Sequence, residues 1–381
     1  MHAGTACRLG PLAGIDKAAP AMRNILRDVA RAVLPTPWRL RLRRAGQRLF
    51  GAGGSAYAQR LAAEGEHFDP LVVVHDLPRI FHYWSNATVR PKLEALGGSW
   101  PEDWYARRIA RQHAELRRRV RIVSLGAGNG DTELRVAQLL LERGVREFEF
   151  ECVDLSEAML ARGEAAAEAA GLRTHFRFVR ADFNRWRPDG PSEVVMANQS
   201  LHHVLALESL FDAVSQAIGA EGVFLTCDVI GRNGHRPWPE ALSIIREFWR
   251  ELPSTHRYNL QLQRQEAEFC DWDCSAEGFE GIRAQDILPL LVERFGFETF
   301  LGFANVIAPF VDRSFGYHFD PDVAADRDFI DRVHARDDAE MLAGNIKPTQ
   351  MVAALRNRRD IATQCWRHLT PRFCIRDPRR R

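Results

Sequence analysis

The chain has 381 residues, 46% of them hydrophobic and 27% charged, with a net charge of +2. These values exclude a collagen-like rod and wholesale disorder, and the length allows one large core with additions or two to three domains. No run of about 18 apolar residues occurs and no basic start leads into a long apolar stretch, so neither a membrane span nor a secretory signal is expected, and the cytoplasm is the expected compartment. The seven cysteines (Cys7, Cys152, Cys227, Cys270, Cys274, Cys365 and Cys374) are scattered without a CxxC pair. Neither disulfides nor structural zinc are therefore expected.

Residues 1–60 carry eleven Lys or Arg against two acids, a balance of +9, which leaves −7 on the remainder. Such an arm suits attraction to nucleic acid or to an anionic surface, but a solubilising, flexible leader is the favoured reading, and residues 1–55 are set apart as that basic leader. Pro35, Pro37 and the run from Gly51 to Ser55 break the chain before a helical stretch, 56–118, that concentrates aromatics between Leu77 and Asn86 and again at Trp100, Trp104 and Tyr105. This stretch is read as an N-terminal helical cap. From Val120 the pattern changes to short apolar runs alternating with amphipathic stretches, the pattern of strands and helices around a parallel sheet. Strands are predicted at 120–125, 148–153, 175–180, 193–197 and 222–229, with helices at 132–142, 156–170 and 207–218. A Trp- and charge-rich insert, 232–280, precedes a helix at 284–295. Two strands, 297–301 and 305–310, then read as an edge hairpin that closes a core of 119–312, and 313–381 reads as a helical extension.

The segment from Ile122 to Glu133 reads IVSLGAGNGDTE, with Gly126, Gly128 and Gly130 where the first strand becomes a helix. Glycine allows a tight turn and close approach of a ligand to the backbone. The spacing is GxGxG, with Asp131 where a dinucleotide fingerprint has its third glycine, and an acid there repels a pyrophosphate at the helix N-terminus. The second strand ends at Asp154, placed to accept hydrogen bonds from both hydroxyls of a ribose or to cap the helix that follows. The third ends in Ala181-Asp182-Phe183, a carboxylate and a ring suited to an adenine amino group and face. Three such features on successive strand tips point to a nucleoside.

On these residues the chain resembles the class I S-adenosylmethionine-dependent methyltransferases. Val123 to Gly130 is similar to that family's glycine motif, Asp154 to its ribose-binding acid, Ala181 to Phe183 to its adenine segment, and Val194 to Val204, with its double His, to its fourth-strand motif. The acid that the family carries just before the glycines is replaced here by Ser124 and Leu125. The resemblance covers about 115–310 and implies a Rossmann-like α/β fold: a seven-stranded sheet of order 3-2-1-4-5-7-6, the last strand antiparallel, with helices on both faces. It implies S-adenosyl-L-methionine as cofactor, held by Gly126, Ala127, Gly128, Gly130, Asp154, Leu155, Asp182, Phe183 and Asn198.

Methyl transfer is an in-line displacement that requires a nucleophile held close to the sulfonium methyl, and a hydroxyl nucleophile is helped by a base matched to neutral pH. His203 and His202, with Asp228 at the neighbouring strand tip, are the catalytic residues expected, and packing of the loop is the alternative for the His pair. Cys270, Asp271, Asp273, Cys274 and His256 match no metal-ligand spacing, so no metal is expected. The expected function is methyl transfer to a small-molecule acceptor, at oxygen. Its rivals are methylation of RNA or another macromolecule through the basic arm, and a nicotinamide-dependent oxidoreductase on a similar sheet.

Overall fold

The computed structural model of the chain describes Tyr57 and residues 76–276 and 278–377. The expected leader and most of 56–75 lie outside the described residues. The helical stretch before the sheet comprises α1 (Arg79–Trp84), α2 (Arg90–Glu94) and α3 (Pro101–Leu116). A π-turn, Ser85–Val89, joins the first two. Alternation then follows as the sequence indicated: β1 (Val120–Leu125), α4 (Asp131–Glu142), β2 (Phe148–Asp154), α5 (Glu157–Ala169), β3 (Phe176–Arg180), β4 (Val194–Asn198), α6 (Leu207–Ile218) and β5 (Val223–Val229). The central strands β1, β4 and β5 are almost wholly buried, as strands covered by helices on both faces must be, while β3 at the edge is partly exposed.

After β5 come α7 (Pro239–Glu251), a two-stranded ribbon of β6 (Tyr258–Asn259) and β7 (Arg264–Gln265), α8 (Ala284–Arg294), β8 (Gly296–Phe303), α9 (Ala308–Val311), α10 (Ala324–Ala343), β9 (Gln350–Arg356) and β10 (Gln364–Cys365). The main sheet has eight strands in the order β10-β8-β9-β5-β4-β1-β2-β3, and β9 runs antiparallel to both β5 and β8. Without the short β10 this is the expected order of seven. Strand order reverses between β1 and β4, which leaves a crevice at their C-terminal ends, the usual ligand position in such sheets.

Two expectations are corrected. Residues 305–310 are not the second strand of a hairpin. The amides of Asn305 and Val306 donate to the buried Asp337 carboxylate (3.0 Å each) and Pro309, which has no N–H for a ladder, opens α9. The antiparallel strand is β9 instead, so the sheet continues past residue 312 into what read as a helical extension.

Buried side chains form two clusters. One lies around the sheet, with Trp104 and Tyr105 of α3 packed among Ile122, Val136 and Phe150. The other joins Ile80 and Trp84 of α1 to Ile245 and Trp249 of α7, Phe310 of α9 and Ile330 of α10. The insert helix α7 thus belongs to an added helical layer. No helix among the described residues is long and apolar enough to cross a membrane.

Candidate active site

The turns after β1, β2 and β3 meet at the crevice. Gly126, Gly128 and Gly130 all have positive φ (73°, 57° and 72°), the region in which a side chain is strained. At Gly126 a Cβ would also meet Ser200 Cβ at 2.5 Å, so the β1 turn can lie against the β4 loop only because this residue is glycine. Ser200 Oγ donates to Leu125 O (2.7 Å) and fixes that contact. Ala127 N–H donates to Val153 O (3.2 Å), tying the turn to β2.

Asp154 accepts from Gly128 N–H at one oxygen (2.8 Å) and from Ser156 N–H at the other (2.9 Å). Burial raises its pKa while these amides, with that of Leu155, oppose the shift. The two oxygens together offer about four acceptor positions, so capacity remains beyond these amides for a ribose hydroxyl. The helix cap proper is Ser156, whose Oγ accepts from Met159 N–H (3.1 Å). At the third tip, Asp182 accepts from the Tyr57 hydroxyl (2.6 Å), and Phe183 lies beside Gly126. Tyr57 also packs its ring on Phe279, 5.6 Å between centroids. Asn184 accepts from Leu205 and Ala206 N–H (2.8 and 2.9 Å), clamping the third tip to the fourth.

Asn198, at the end of β4, is bridged by Tyr105 Oη (3.1 Å) and Thr132 Oγ1 (3.3 Å), so it braces the floor of the crevice. The next residue, Gln199, has φ 52°, a strained value for a side-chain-bearing residue at the point where the loop turns.

His202, His203 and Asp228 come together, but with unequal exposure. Asp228 is fully buried and accepts from Ser200, Leu201 and Val229 N–H (2.9, 2.7 and 2.8 Å) and from His202 Nδ1 (2.7 Å). A carboxylate saturated in this way shapes the β4 loop and does not reach a substrate. His202 is buried between Asp228 and Glu280; burial lowers its pKa, but the two carboxylates outweigh this and push it up to about 10. Its Nδ1 is thus committed to Asp228, while Nε2 faces Glu280. His203 lies close enough to Asp154 for charge on its ring to bear on that carboxylate, and its Nε2 is 3.4 Å from Glu280 Oε2.

Four further residues adjoin these: His235, which the insert offered as part of a cap over the substrate, and Glu280, Tyr57 and Glu133, which the sequence did not single out. His235 Nε2 lies 2.9 Å from Glu280 Oε1, and His202, His235 and Glu280 bring one potential ligand atom each within 4.8 Å of one another. They are far apart in the chain, so no spacing could reveal them. By contrast, Cys270, Asp271, Asp273, Cys274 and His256 form no such group among the described residues; Asp271 is held by Arg236. Tyr57 is the third. The fourth is Glu133, whose buried carboxylate accepts from Ser124 Oγ (2.5 Å) and whose Oε2 has no hydrogen-bond partner. Burial pushes its pKa up to about 7. A serine stands where the resemblance leads one to expect an acid, and Glu133, in the first turn of α4, brings a carboxylate beside it.

Residues 122–222 match a family model described as a methyltransferase domain. The chain carries a class I S-adenosylmethionine-dependent methyltransferase domain. The chain is 29% identical over 133 residues to the trans-aconitate 2-methyltransferase of Yersinia pestis (strain Pestoides F), a match to 32% of this chain and 47% of that one. The same values hold for the trans-aconitate 2-methyltransferase of Yersinia pseudotuberculosis serotype O:3 (strain YPIII). The chain thus spans about half the length of these curated relatives. Among solved structures, geranyl diphosphate C-methyltransferase from Streptomyces coelicolor A3(2) is 13% identical, with 80% of this chain and 100% of that chain covered and a TM-score of 0.43. The O-methyltransferase of a trans-AT PKS multienzyme of Brevibacillus brevis is 11% identical, with 81% and 86% covered and a TM-score of 0.40.

Proposed function

We propose that the protein transfers the methyl group of S-adenosylmethionine to a small-molecule acceptor at a hydroxyl oxygen. The observation that carries this reading is the cradle formed by three successive strand tips: a glycine turn tied to Asp154 at 2.8 Å, a carboxylate with a ring at Asp182 and Phe183, and a loop closed against Gly126 by Ser200. In this reading the backbone of Gly126, Ala127 and Gly128 meets the methionine end, with Gly130 completing the turn. Asp154 and Leu155 hold the ribose, and Asp182 and Phe183 take the adenine. Asn198 supports the floor. Glu133, with its unpartnered buried oxygen, receives the methionine ammonium in place of the acid absent at Ser124.

An oxygen lone pair of the acceptor forms the new bond to the methyl carbon. The carbon–sulfur bond breaks with its electron pair going to sulfur, leaving S-adenosylhomocysteine, and the hydroxyl proton passes to water. The acceptor enters on the side of His203, with His202 and Asp228 as positioning residues. A small acceptor is favoured because the mouth beside the His pair is closed in by the turns at 233–235 and 278–283, whose backbones bond to each other and to His202. The relatives named for trans-aconitate fit this size class. The basic arm favours a second reading, methylation of RNA; salt-sensitive retention on RNA, lost when 1–55 are removed, would select it.

The test is transfer of label from methyl-labelled S-adenosylmethionine to a panel of small hydroxy and carboxylic acids, paired with calorimetry on Asp154→Ala. The variant is expected to bind S-adenosylhomocysteine more weakly by about 1–3 kcal/mol, the scale for leaving buried polar groups unpaired. Unchanged affinity would remove Asp154 from the ribose.

A further inference from the structure

We propose that His202, His235 and Glu280 form a binding site for a divalent transition-metal ion of the zinc type. His235 Nε2 and His202 Nε2 lie 2.9 and 3.3 Å from the same oxygen, Glu280 Oε1. These two separations are close to the ~3 to 3.5 Å that metal–ligand bonds of about 2.0–2.2 Å subtend at tetrahedral or octahedral angles, and all three ligand atoms lie within 4.8 Å of one another. Two imidazoles and one carboxylate are a donor set suited to zinc and its first-row neighbours, whereas calcium and magnesium prefer oxygen alone. Three protein ligands leave a position open for a substrate atom.

The surroundings are those of a metal ligand shell. The other nitrogen of His202 faces Asp228 Oδ1 at 2.7 Å, and Asp228 is itself fixed by three backbone amides. A carboxylate behind a histidine fixes the ring orientation and tautomer and makes the outer nitrogen a better donor. The three ligand-bearing loops are also tied together. Gly234 N–H donates to Gly281 O (3.0 Å), and Ile282 N–H to His202 O (3.1 Å). A Cβ at Gly281 would stand 2.3 Å from His235 Cδ2, so only glycine lets the Glu280 loop lie on this imidazole. His235 has φ 54°, a left-handed conformation that a β-carbon-bearing residue adopts at some energetic expense, and it turns Nε2 toward Glu280. Arg283 anchors the Glu280 loop from behind through Glu208 (2.7 and 2.8 Å) and Leu205 O (2.8 Å).

The site adjoins the cradle: Phe279, next to Glu280, touches Tyr57, which bonds Asp182. Resting on the methyl-transfer reading, the ion holds the acceptor oxygen at its open position and lowers the pKa of the hydroxyl, which gives its proton to water before attacking the methyl carbon. Metal binding itself does not depend on that reading.

The full chain, prepared without a histidine tag, stripped with chelator and dialysed, would be titrated with Co2+ followed by visible absorption, then with Zn2+ in competition. The expected result is one Co2+ per chain with ligand-field bands, displaced by Zn2+. His235→Ala and Glu280→Gln should each lose about 100-fold or more in affinity, while binding of S-adenosylhomocysteine stays within a few-fold of the parent, showing that the variants are folded. The Glu280 side chain is 40% exposed, so its isosteric amide leaves the core untouched. Absence of Co2+ binding in a parent that binds S-adenosylhomocysteine would overturn the metal site alone, as would equal Co2+ affinity in both variants. Co2+ binding with no S-adenosylhomocysteine binding would support the site and overturn the cofactor reading on which its catalytic use rests.

Discussion

Glu133 carries a carboxylate into buried space beside β1, two residues of the chain being adjusted to it: Ser124, which donates to it, and Gly130, which starts its helix. Burial pushes its pKa up to about 7 from an ordinary value of 4.5, so the protonated form is favoured by folding. Folding stability therefore falls as pH rises from about 4.5 to about 7 and is level beyond, a loss on the order of 3 kcal/mol. Glu133→Gln removes that loss. It should therefore melt above the parent at pH 8, with a smaller gap at pH 5. The same change should weaken S-adenosylhomocysteine binding roughly 10- to 100-fold at pH 8, the scale of a lost charge-assisted hydrogen bond. Because the ammonium selects the ionised carboxylate, affinity of the parent should rise between pH 6 and pH 8 and that of the variant should not. A variant that melts below the parent at pH 8, or binds as tightly, would show Glu133 to be a packing residue.

Elements were legible where local pattern and tertiary role agree. The starts and ends of β1 to β5 and of α4 to α6 follow from apolar runs flanked by glycine, Ser156 and charged turns, and the observed limits lie within a residue or two of the expected ones. They agree least in β9. Its sequence, Gln-Met-Val-Ala-Ala-Leu-Arg, is rich in good helix formers, and only the open edges of β5 and β8 make it a strand. Residues 305–310 show the converse, since an apolar run read as a strand has its first amides taken by a side chain. Asp337, in α10, holds Asn305 and Val306 N–H at 3.0 Å each and is fully buried. Asp337→Ala would leave two buried amides without an acceptor and should destabilise the fold by about 2–4 kcal/mol in denaturant titrations. A change below about 0.5 kcal/mol would mean that water or a shifted backbone replaces the carboxylate.

Across the whole molecule, the residues proposed for the nucleoside half come together as the sequence led one to expect, because they sit at fixed offsets from strand ends. The acceptor half was not legible, because His202, His235 and Glu280 meet only when the turns after β4 and β5 and the loop before α8 converge. The insert likewise divides between two roles. Its helix α7 buries Ile244, Ile245, Phe248 and Trp249 in the added helical layer, while its first and last turns supply His235 and Glu280 to the crevice. Tyr57 brings the chain before the sheet onto the same crevice, through Asp182. All these features presuppose a nucleoside with an amino acid tail and no pyrophosphate. The most direct measurement is calorimetric titration of the full chain with S-adenosylhomocysteine, beside reduced nicotinamide dinucleotide under the same conditions. One-to-one micromolar binding of the first and none of the second is the predicted result. Binding of the dinucleotide alone would contradict the account at its centre, since Asp131 at the helix start and the GxGxG turn would then be accommodating the phosphates that they should repel.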